Sequence, residues 1–253
     1  MSTIAIVQAR MTSTRLPGKV LLEVLGKPML AHQLDRVGRV PYIDGIVIAT
    51  TVNRTDDPVA AFAEAGGFGL YRGSEHDVLS RFKGAIDATD ADTVVRLTAD
   101  CPLADPDVID QVIQRYRDAD PPCDYVTNAI PRSYPAGLDV EVFSRAALET
   151  AANEATEDYD REHVTPFLYR NPERFRLLSV VLEPSLAWER WTLDEPGDFE
   201  LIRRVLEALI PEKPDFRMAD VIRVLDENPD WRAFNGSVRE KPRMVEDVVF
   251  KGE

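Results

Sequence analysis

The stretch TIAIVQARMTSTRLPGK, residues 3–19, joins a short apolar run to a cationic loop and governs how the rest of the sequence is interpreted. Its apolar, β-branched first part predicts a buried strand. Arg10, Arg15 and Lys19 follow in a segment that holds no acidic residue. The first acidic residue of the chain is Glu23, although the formal net charge is -14. So concentrated a positive loop in an acidic protein is a candidate anion site.

Apolar runs and amphipathic segments alternate downstream of this loop. Predicted strands cover 3–9, 45–50, 68–73 and 92–100. Predicted helices lie within 27–40, 57–65 and 75–88, and a further helix begins at Pro106 with Asp105 as its N-cap. Strands that alternate with helices at short spacing favour a mostly parallel sheet covered on both faces, so the predicted fold class is α/β.

The second half of the chain is less regular. Predicted strands cover 123–128, 137–144, 175–183 and 189–194, and predicted helices cover about 145–157, 160–169 and 198–210. The residues from about 229 to 253 carry prolines, glycines and mixed charge, which indicates an extended tail. No repeat or Ser/Gly-rich linker interrupts the chain, so we expect a single domain over 1–253 with a small β/α lobe at about 123–170.

Composition argues against several classes of function. Of the 253 residues, 44% are hydrophobic and 29% charged, which is ordinary for a globular protein. A pI near 4.7 argues against nucleic acid or an anionic membrane as the main partner. Cys101 and Cys123 are too few for a disulfide framework or a zinc site, so we expect a cytoplasmic protein. We expect no membrane span and no signal peptide, because no apolar run is long enough.

The cationic loop suits a multiply charged anion. In an open α/β sheet, ligands bind beyond the carboxyl ends of the strands, where a loop leaving the first strand lies. Three cations, the hydroxyls of 12–14 and backbone N–H groups could together hold a triphosphate, and a turn at 17–18 could aim Lys19 back at it. A solvated basic loop is the alternative. The patterns GxxxxGK[ST] and GxGxxG are absent, which disfavours a P-loop NTPase and a dinucleotide site.

The segment IVQARMTSTRLPGKVL, 6–21, closely resembles the opening of the spore coat polysaccharide biosynthesis protein F family of cytidylyltransferases. These are relatives of the CMP-sialic acid and CMP-3-deoxy-manno-octulosonate synthetases. The resemblance continues in order through RGSEHDVLSRF (72–82), VVRLTADCPL (94–103) and RWTLDEPGDF (190–199). It implies a GT-A-like nucleotide-diphospho-sugar transferase fold with a mostly parallel, Rossmann-like sheet. It also implies transfer of CMP from CTP to a sugar or sugar-acid hydroxyl, with release of pyrophosphate, for surface polysaccharide synthesis.

Two aspartates are candidate ligands of a Mg²⁺ cofactor. Asp100 and Asp194 end two predicted strands, and Mg²⁺ is a hard ion that takes one or two carboxylates plus phosphate oxygens and water. A turn-forming role for Asp100 and an N-cap role for Asp194 are the alternatives. The resemblance favours metal binding for both. It also implies a nucleotide-binding set of Ala9, Arg10, Ser13, Arg15 and Lys19, in which Arg10, Arg15 and Lys19 act with Asp100 in catalysis.

The segment 72–82 is predicted to lie beside the nucleotide. Arg72 and Ser74 end a strand and Asp77 opens a helix, so these three could contact the cytosine or its ribose. Alternatively, Asp77 serves the helix dipole and Arg72 is a surface residue. Arg81 lies one helical turn after Asp77, and an i,i+4 ion pair between them is at least as well supported.

Polar residues of the second half are predicted to bind the acceptor. They are Asn128, Tyr134, Asp139, Glu141, Arg161 and His163, and Arg132 or Arg161 could pair with a carboxylate or phosphate. Asp139 and Glu141 could instead hold a second metal or face solvent, and a lone histidine such as His163 is more often structural. The middle helices could build a homodimer interface. A glycosyltransferase of similar sheet and a non-catalytic nucleotide-binding protein remain the competing functions.

Overall fold

One mixed sheet of seven strands organises the computed structural model, which describes residues 2–236 and Phe250. The strands are β1 (Thr3–Gln8), β2 (Glu23–Val24), β3 (Lys27–Pro28), β4 (Gly45–Thr51), β5 (Gly69–Gly73), β6 (Thr93–Thr98), β7 (Tyr125–Thr127), β8 (Glu141–Ser144) and β9 (Leu177–Ser179). The sheet has the order β5-β4-β1-β6-β8-β7-β9, and β2 pairs with β3 apart from it. Strand β8 runs antiparallel to β6 and β7, while the other pairs of the sheet are parallel. The predicted α/β class with a mostly parallel sheet is confirmed.

Helices cover both faces of this sheet. They are α1 (Met29–Val37), α2 (Asp57–Ala65), α3 (Val78–Asp87), α4 (Pro106–Arg117), α5 (Arg145–Glu154), α6 (Asp158–His163), α7 (Pro166–Tyr169), α8 (Pro196–Leu209) and α9 (Met218–Glu227). Short 3-10 helices cover Lys19–Leu21, Arg54–Asp56 and Pro229–Phe234. Among the described residues, no helix is long and apolar enough to cross a lipid bilayer.

The central strand β1 shows why helices must cover both faces of the sheet. Ala5 and Val7 belong to one hydrophobic core and Ile4 and Ile6 to the other, because successive side chains of a strand point to opposite faces. The first core packs β1 against α1, α4, α8 and α9, and the second packs it against α3, α5 and α7. Burial on both faces explains why 3–9 is a continuous apolar run instead of an alternating one.

Several predicted elements differ from the structure. The segment 189–194 is not a strand, because it meets the rest of the chain through one isolated bridge between Ala136 and Arg190. The predicted helix over 160–169 is two helices, because Val164 has a φ of 72° and cannot continue a right-handed helix. Helix α9 was not predicted at all.

The predicted tail from about 229 is not extended where the structure describes it. Pro229–Phe234 forms a 3-10 helix, and its Trp231 packs on the first core. The remainder of the tail prediction, 237–249 and 251–253, lies outside the described residues. The lobe predicted at about 123–170 contributes β7 and β8 to the main sheet, and its α5 and α6 pack on α3. Its role as an acceptor-binding or dimerisation lobe stays a prediction.

Candidate active site

A cavity of about 830 Å³ opens at the carboxyl ends of β1 and β6. The sequence-predicted residues that line it are Ala9, Arg10, Ser13, Arg15, Lys19, Asp77, Asp100, Asp139, Arg161, His163 and Asp194. They come from both halves of the chain. The parallel strands β1 and β6 place the cationic loop and Asp100 at one edge of the sheet, and the loops around 139 and 194 and helix α6 bring the second-half residues to it.

The Lys19 ammonium lies between the two candidate metal-binding aspartates. Its Nζ is 3.1 Å from Asp100 Oδ2 and 2.8 Å from Asp194 Oδ1. Lys19 begins the first 3-10 helix, and its side chain is only 11% exposed. Burial alone would lower the pKa of Lys19, but the two carboxylates outweigh burial and raise it. Two acids that are 94 residues apart in sequence therefore face one point in space.

Asp194 is the more heavily paired of these two aspartates. Arg15 and Arg190 lie 3.1 Å and 2.9 Å from its carboxylate oxygens, in addition to Lys19. Burial would raise the pKa of Asp194, but Lys19 and the arginines hold it below its ordinary value. Asp100 forms an ion pair with Lys19 and with no other cation of the described residues, and it accepts a hydrogen bond of 2.6 Å from the Thr98 hydroxyl. Cations that a nucleotide could also use thus hold the two carboxylates at one point of the cavity.

The loop that carries Asp194 is held against β6 and the segment around 136 by backbone contacts. Leu193 N donates to Asp100 O at 2.7 Å, and Trp191 N donates to Ala136 O at 2.6 Å. Gly137, with a φ of 104°, allows this approach, because a Cβ there would lie 2.7 Å from the backbone of Trp191. These contacts bring Asp194 beside Asp100 without a strand between 189 and 194.

The cationic loop is fixed by a fully buried carboxylate. Asp56 accepts a hydrogen bond of 2.6 Å from the Met11 backbone N–H and another from the Thr51 hydroxyl. Gly18 N donates to Met11 O at 3.0 Å, which closes the loop on itself. Ser13 Oγ accepts from a backbone N–H of the same loop at 3.3 Å. Asp56 therefore determines where the cations of the loop stand.

Two arginine–carboxylate pairs build the far wall of the cavity. Arg132 forms a bidentate pair with Asp139, with distances of 2.8 Å and 3.0 Å. Arg161 contacts Asp77 Oδ2 through two nitrogens at 2.9 Å and 2.6 Å and so ties α6 to the start of α3. His163 packs on the ring of Tyr159, with 4.4 Å between centroids. Both arginines are therefore already paired with carboxylates of this chain.

Three residues that the sequence predicted to bind the acceptor lie outside this cavity lining. Asn128 is buried and bonds the backbone of Leu138 and Val140, and the Tyr134 hydroxyl donates to Gln111. The buried Glu141 accepts from Tyr125, Thr165 and Arg96. Each of these side chains serves contacts within the fold, and a role in acceptor binding stays a prediction for all three.

Of the predicted base-contact set Arg72, Ser74 and Asp77, Asp77 alone lines the cavity, and a base contact stays a prediction. Arg72 donates to the Thr51 and Asn53 carbonyls and to Asp57, and it does not line the cavity. Ser74 caps the loop by accepting from Asp77 N. The suggested ion pair of Asp77 with Arg81 is not formed, because Asp77 contacts Arg161 instead. Asp77 is the N-cap of α3 and accepts from Ser80 N at 2.9 Å.

Sequence reasoning missed several residues that line the cavity. They are Gln8, Glu75, Arg81, Asp158, Glu162, Arg190 and Thr192. Arg190 and Arg81 stand inside matched segments, so the resemblance could have drawn attention to them. Glu75 accepts from the Thr12 hydroxyl at 3.1 Å and from Asn53 at 2.6 Å, a contact that depends on the folding together of three separate loops.

The donor set of Asp100 and Asp194 fits a hard divalent cation that arrives with phosphate. Both aspartates offer carboxylate oxygens on the same side of the cavity, as their shared contact with Lys19 shows. Within 2–236 and Phe250, no group of three or more His, Cys, Asp or Glu residues is placed to hold a metal. Two carboxylates alone leave most positions of an octahedral ion to phosphate oxygens and water.

Comparisons with known proteins identify the family of this chain. A family model described as Cytidylyltransferase matches residues 4–213. The spore coat polysaccharide biosynthesis protein SpsF of Bacillus subtilis is 36% identical over 232 residues, which cover 89% of this chain and 94% of that protein. A 3-deoxy-manno-octulosonate cytidylyltransferase of Maricaulis maris is 37% identical over 231 residues, 83% of this chain and 86% of that protein. A solved cytidylyltransferase structure from Leptospira borgpetersenii aligns with a TM-score of 0.88 and 29% identity, covering 95% of this chain and 100% of that one.

Proposed function

This chain belongs to the cytidylyltransferase family of nucleotidyltransferases, which transfer CMP from CTP, and we propose that its acceptor is the hydroxyl of a sugar or sugar acid and its metal Mg²⁺. In this reaction the acceptor oxygen forms a bond to the α-phosphorus of CTP. The bond between that phosphorus and the oxygen that it shares with the β-phosphate breaks, and pyrophosphate leaves. The observation that carries the proposal is the convergence of Lys19, Asp100 and Asp194 at one point of the cavity, with Arg15 beside them.

The cations of the loop act on the charge of the triphosphate. Phosphoryl transfer depends on positioning and on neutralising charge, because the protein has little covalent chemistry to do. Arg15 and Lys19 lie at the aspartates, and Arg10 lies further along the cavity, 3.6 Å from Glu75. The raised pKa of Lys19 keeps its ammonium charged near neutral pH, so that it can donate to phosphate oxygens and to the departing pyrophosphate.

Asp100 and Asp194 are the residues that would hold Mg²⁺. When bound, this ion would neutralise phosphate charge and lower the pKa of an acceptor hydroxyl. Lys19 holds both carboxylates close together before a nucleotide arrives. Arg190 contacts both Asp194 and Asp198, at 2.9 Å and 3.3 Å, and so orients the Asp194 carboxylate toward the cavity.

The far wall supports a polar, polyhydroxylated acceptor. Arg132, Asp139 and Arg161 present charged donors and acceptors that are already paired, and Asp158 and Glu162 add carboxylates. A wall with both signs of charge suits hydroxyl groups, which donate and accept hydrogen bonds. The names of the relatives from Bacillus subtilis and Maricaulis maris point to the same class of acceptor.

Pyrophosphate release tests this proposal. The protein, CTP and Mg²⁺ are incubated with a panel of sugars and sugar acids, and the CMP conjugate is identified by mass spectrometry. We expect Asp100→Asn to lower turnover by about 100-fold or more, since the loss of one charged group that acts on the transition state has effects of this order. Asp90→Asn, an exposed aspartate in the loop before β6, is the matched control and keeps turnover.

Two outcomes would contradict the proposal. Tighter binding of a nucleotide-sugar than of CTP in thermal-shift measurements would indicate a glycosyltransferase. Binding of CTP without pyrophosphate release across the whole panel would indicate a non-catalytic nucleotide-binding protein. The homodimer and the cytoplasmic location stay predictions, which size-exclusion chromatography with light scattering and cell fractionation test.

A further inference from the structure

Arg81 is a buried arginine that faces the cavity with unused donors. It lies in the second turn of α3, lines the cavity, and is 3% exposed. Its Nη1 donates to Ser74 O at 2.8 Å, while its buried Nε has no hydrogen-bond partner. Within the described residues, Arg81 also forms no ion pair within 4.0 Å and no hydrogen bond from Nη2. A buried guanidinium with unsatisfied N–H groups is costly unless a ligand accepts from it.

The carboxylates around Arg81 are engaged elsewhere. Asp56, Glu75 and Asp77 act on it electrostatically, yet Asp56 binds the cationic loop, Glu75 binds Thr12 and Asn53, and Asp77 binds Arg161. Burial, followed by the repulsion of Arg10, lowers the pKa of Arg81 to about 10. The guanidinium remains a cation at neutral pH, and the N–H groups of Nη2, with the second hydrogen of Nη1, are left for a molecule that enters the cavity.

The surroundings of Arg81 favour a neutral ligand group with acceptor atoms. Helix α3 follows the edge strand β5, on the other side of β1 from β6 and Asp100. Asp56, Glu75 and Asp77 place three negative charges near Arg81 against the one positive charge of Arg10, whereas Arg15 and Lys19 lie together at Asp100 and Asp194, where a phosphate chain is attracted. A nucleoside triphosphate whose phosphates lie at Lys19 therefore directs its base toward Arg81.

Resting on the proposed function, we propose that Arg81 reads the base of CTP by donating hydrogen bonds to the O2 and N3 atoms of cytosine. Cytosine has two adjacent hydrogen-bond acceptors, O2 and N3, and two N–H groups of one charged guanidinium can donate to both. Uracil carries a hydrogen on N3, so the same guanidinium meets a donor and one N–H of Arg81 stays unsatisfied. A site built to bond a particular polar edge rejects the analogue that lacks it. Arg81 is thereby a residue that selects CTP over UTP.

Nucleotide affinities measured by calorimetry, without acceptor, test this role. Arg81→Lys and Arg81→Gln should weaken CTP binding about tenfold to a hundredfold and change UTP binding little, so that the CTP/UTP ratio falls toward one. Pyrophosphate binding should stay unchanged. Arg36→Lys is the matched control, because Arg36 is also 3% exposed with an unpartnered Nη1, but it bonds Ala104 O and Phe216 O outside this cavity. It should keep the wild-type ratio.

A nucleotide analogue tests the same contact without altering the fold. The triphosphate of 3-deazacytidine has a C–H in place of N3, so the wild type should bind it about tenfold more weakly than CTP. In a folded Arg81 variant this difference should vanish. Equal binding of CTP and the analogue by the wild type, or an unchanged CTP/UTP ratio in a folded variant, overturns the role of Arg81 alone. A parallel loss of pyrophosphate affinity makes Arg81 a phosphate ligand and overturns it too, whereas a wild type that does not bind CTP overturns the proposed function itself.

Discussion

Removal of the Lys19 ammonium should destabilise the protein mainly through Asp100. In Lys19→Met, Asp194 keeps Arg15 and Arg190, whereas Asp100 loses its ion pair and keeps the Thr98 hydroxyl. A fully buried pair that loses one partner costs about 3–5 kcal/mol. The Asp100 side chain is 28% exposed, so solvent screens the remaining charge, and we expect a loss of about 1–2 kcal/mol in the free energy of unfolding.

A double-mutant cycle isolates this effect. If the cost arises from an unpaired Asp100 charge, adding Asp100→Asn to Lys19→Met should restore at least half of the lost free energy. Urea unfolding gives the values, provided that the dependence on urea concentration is unchanged among the variants. Lys27→Met is the control, because Lys27 pairs with Asp35 at the surface and should change stability by less than about 0.5 kcal/mol.

One outcome would contradict charge pairing as the source of this stability. A double variant as unstable as Lys19→Met alone would mean that packing of the lysine stem, and not charge pairing, supplies the stability. Turnover is a separate readout of the same variants. We expect Lys19→Met to lose about 100-fold or more in turnover whatever its stability, because the triphosphate loses a positioned cation.

Substitutions at Gly137, Asp56 and Asp77 also have defined expected outcomes. Gly137→Ala should lower the free energy of unfolding by more than about 2 kcal/mol in denaturation experiments, since its φ is 104° and a Cβ would lie 2.7 Å from facing backbone; an unchanged value would contradict the close approach. Asp56→Ala should weaken CTP binding about tenfold in calorimetry because Met11 N–H loses its acceptor, and Asp56→Asn should weaken it less. Although burial would raise the pKa of Asp77, Arg161 lowers it, so stability is gained above the ordinary value of 3.8 and lost as pH falls through the lower folded-state pKa. Acid unfolding of Asp77→Asn should lack this loss.

Residues with strong local signals were predictable from the sequence. The run 3–9 could be assigned to a buried strand and Asp105–Pro106 to a helix start, and the structure has both. The cations of the loop follow the first strand directly, so their place at its carboxyl end follows from the general geometry of α/β sheets. Asp100, at the end of the strand β6, could be placed for the same reason.

Contacts between distant segments were not predictable. Asn128 and Glu141 look like free polar groups in the sequence, and only tertiary packing shows that they bond backbone and buried side chains. The pairing of Asp77 with Arg161 spans 84 residues and displaced the local pair with Arg81. The segment 189–194 has the composition of a strand, yet it lies against other loops without continuous ladder partners. Short-range sequence patterns do not indicate which contacts form between segments that are distant in the chain.

The division of the cavity between the two halves of the chain has a consequence for protein engineering. Loop cations, Arg81 and Asp100 precede the exposed positions 120–122, while Arg132 and Arg161 follow them. A crossover at 120–122 between two family members would thus graft a foreign acceptor wall, together with the second parent's counterparts of Arg190 and Asp194, onto the loop cations and Asp100 of the first parent. Because β8 must still pair with β6 across that junction, chimeras whose parents share the 93–96 and 141–144 side chains should fold best. Recombination at this point offers a route to new CMP conjugates.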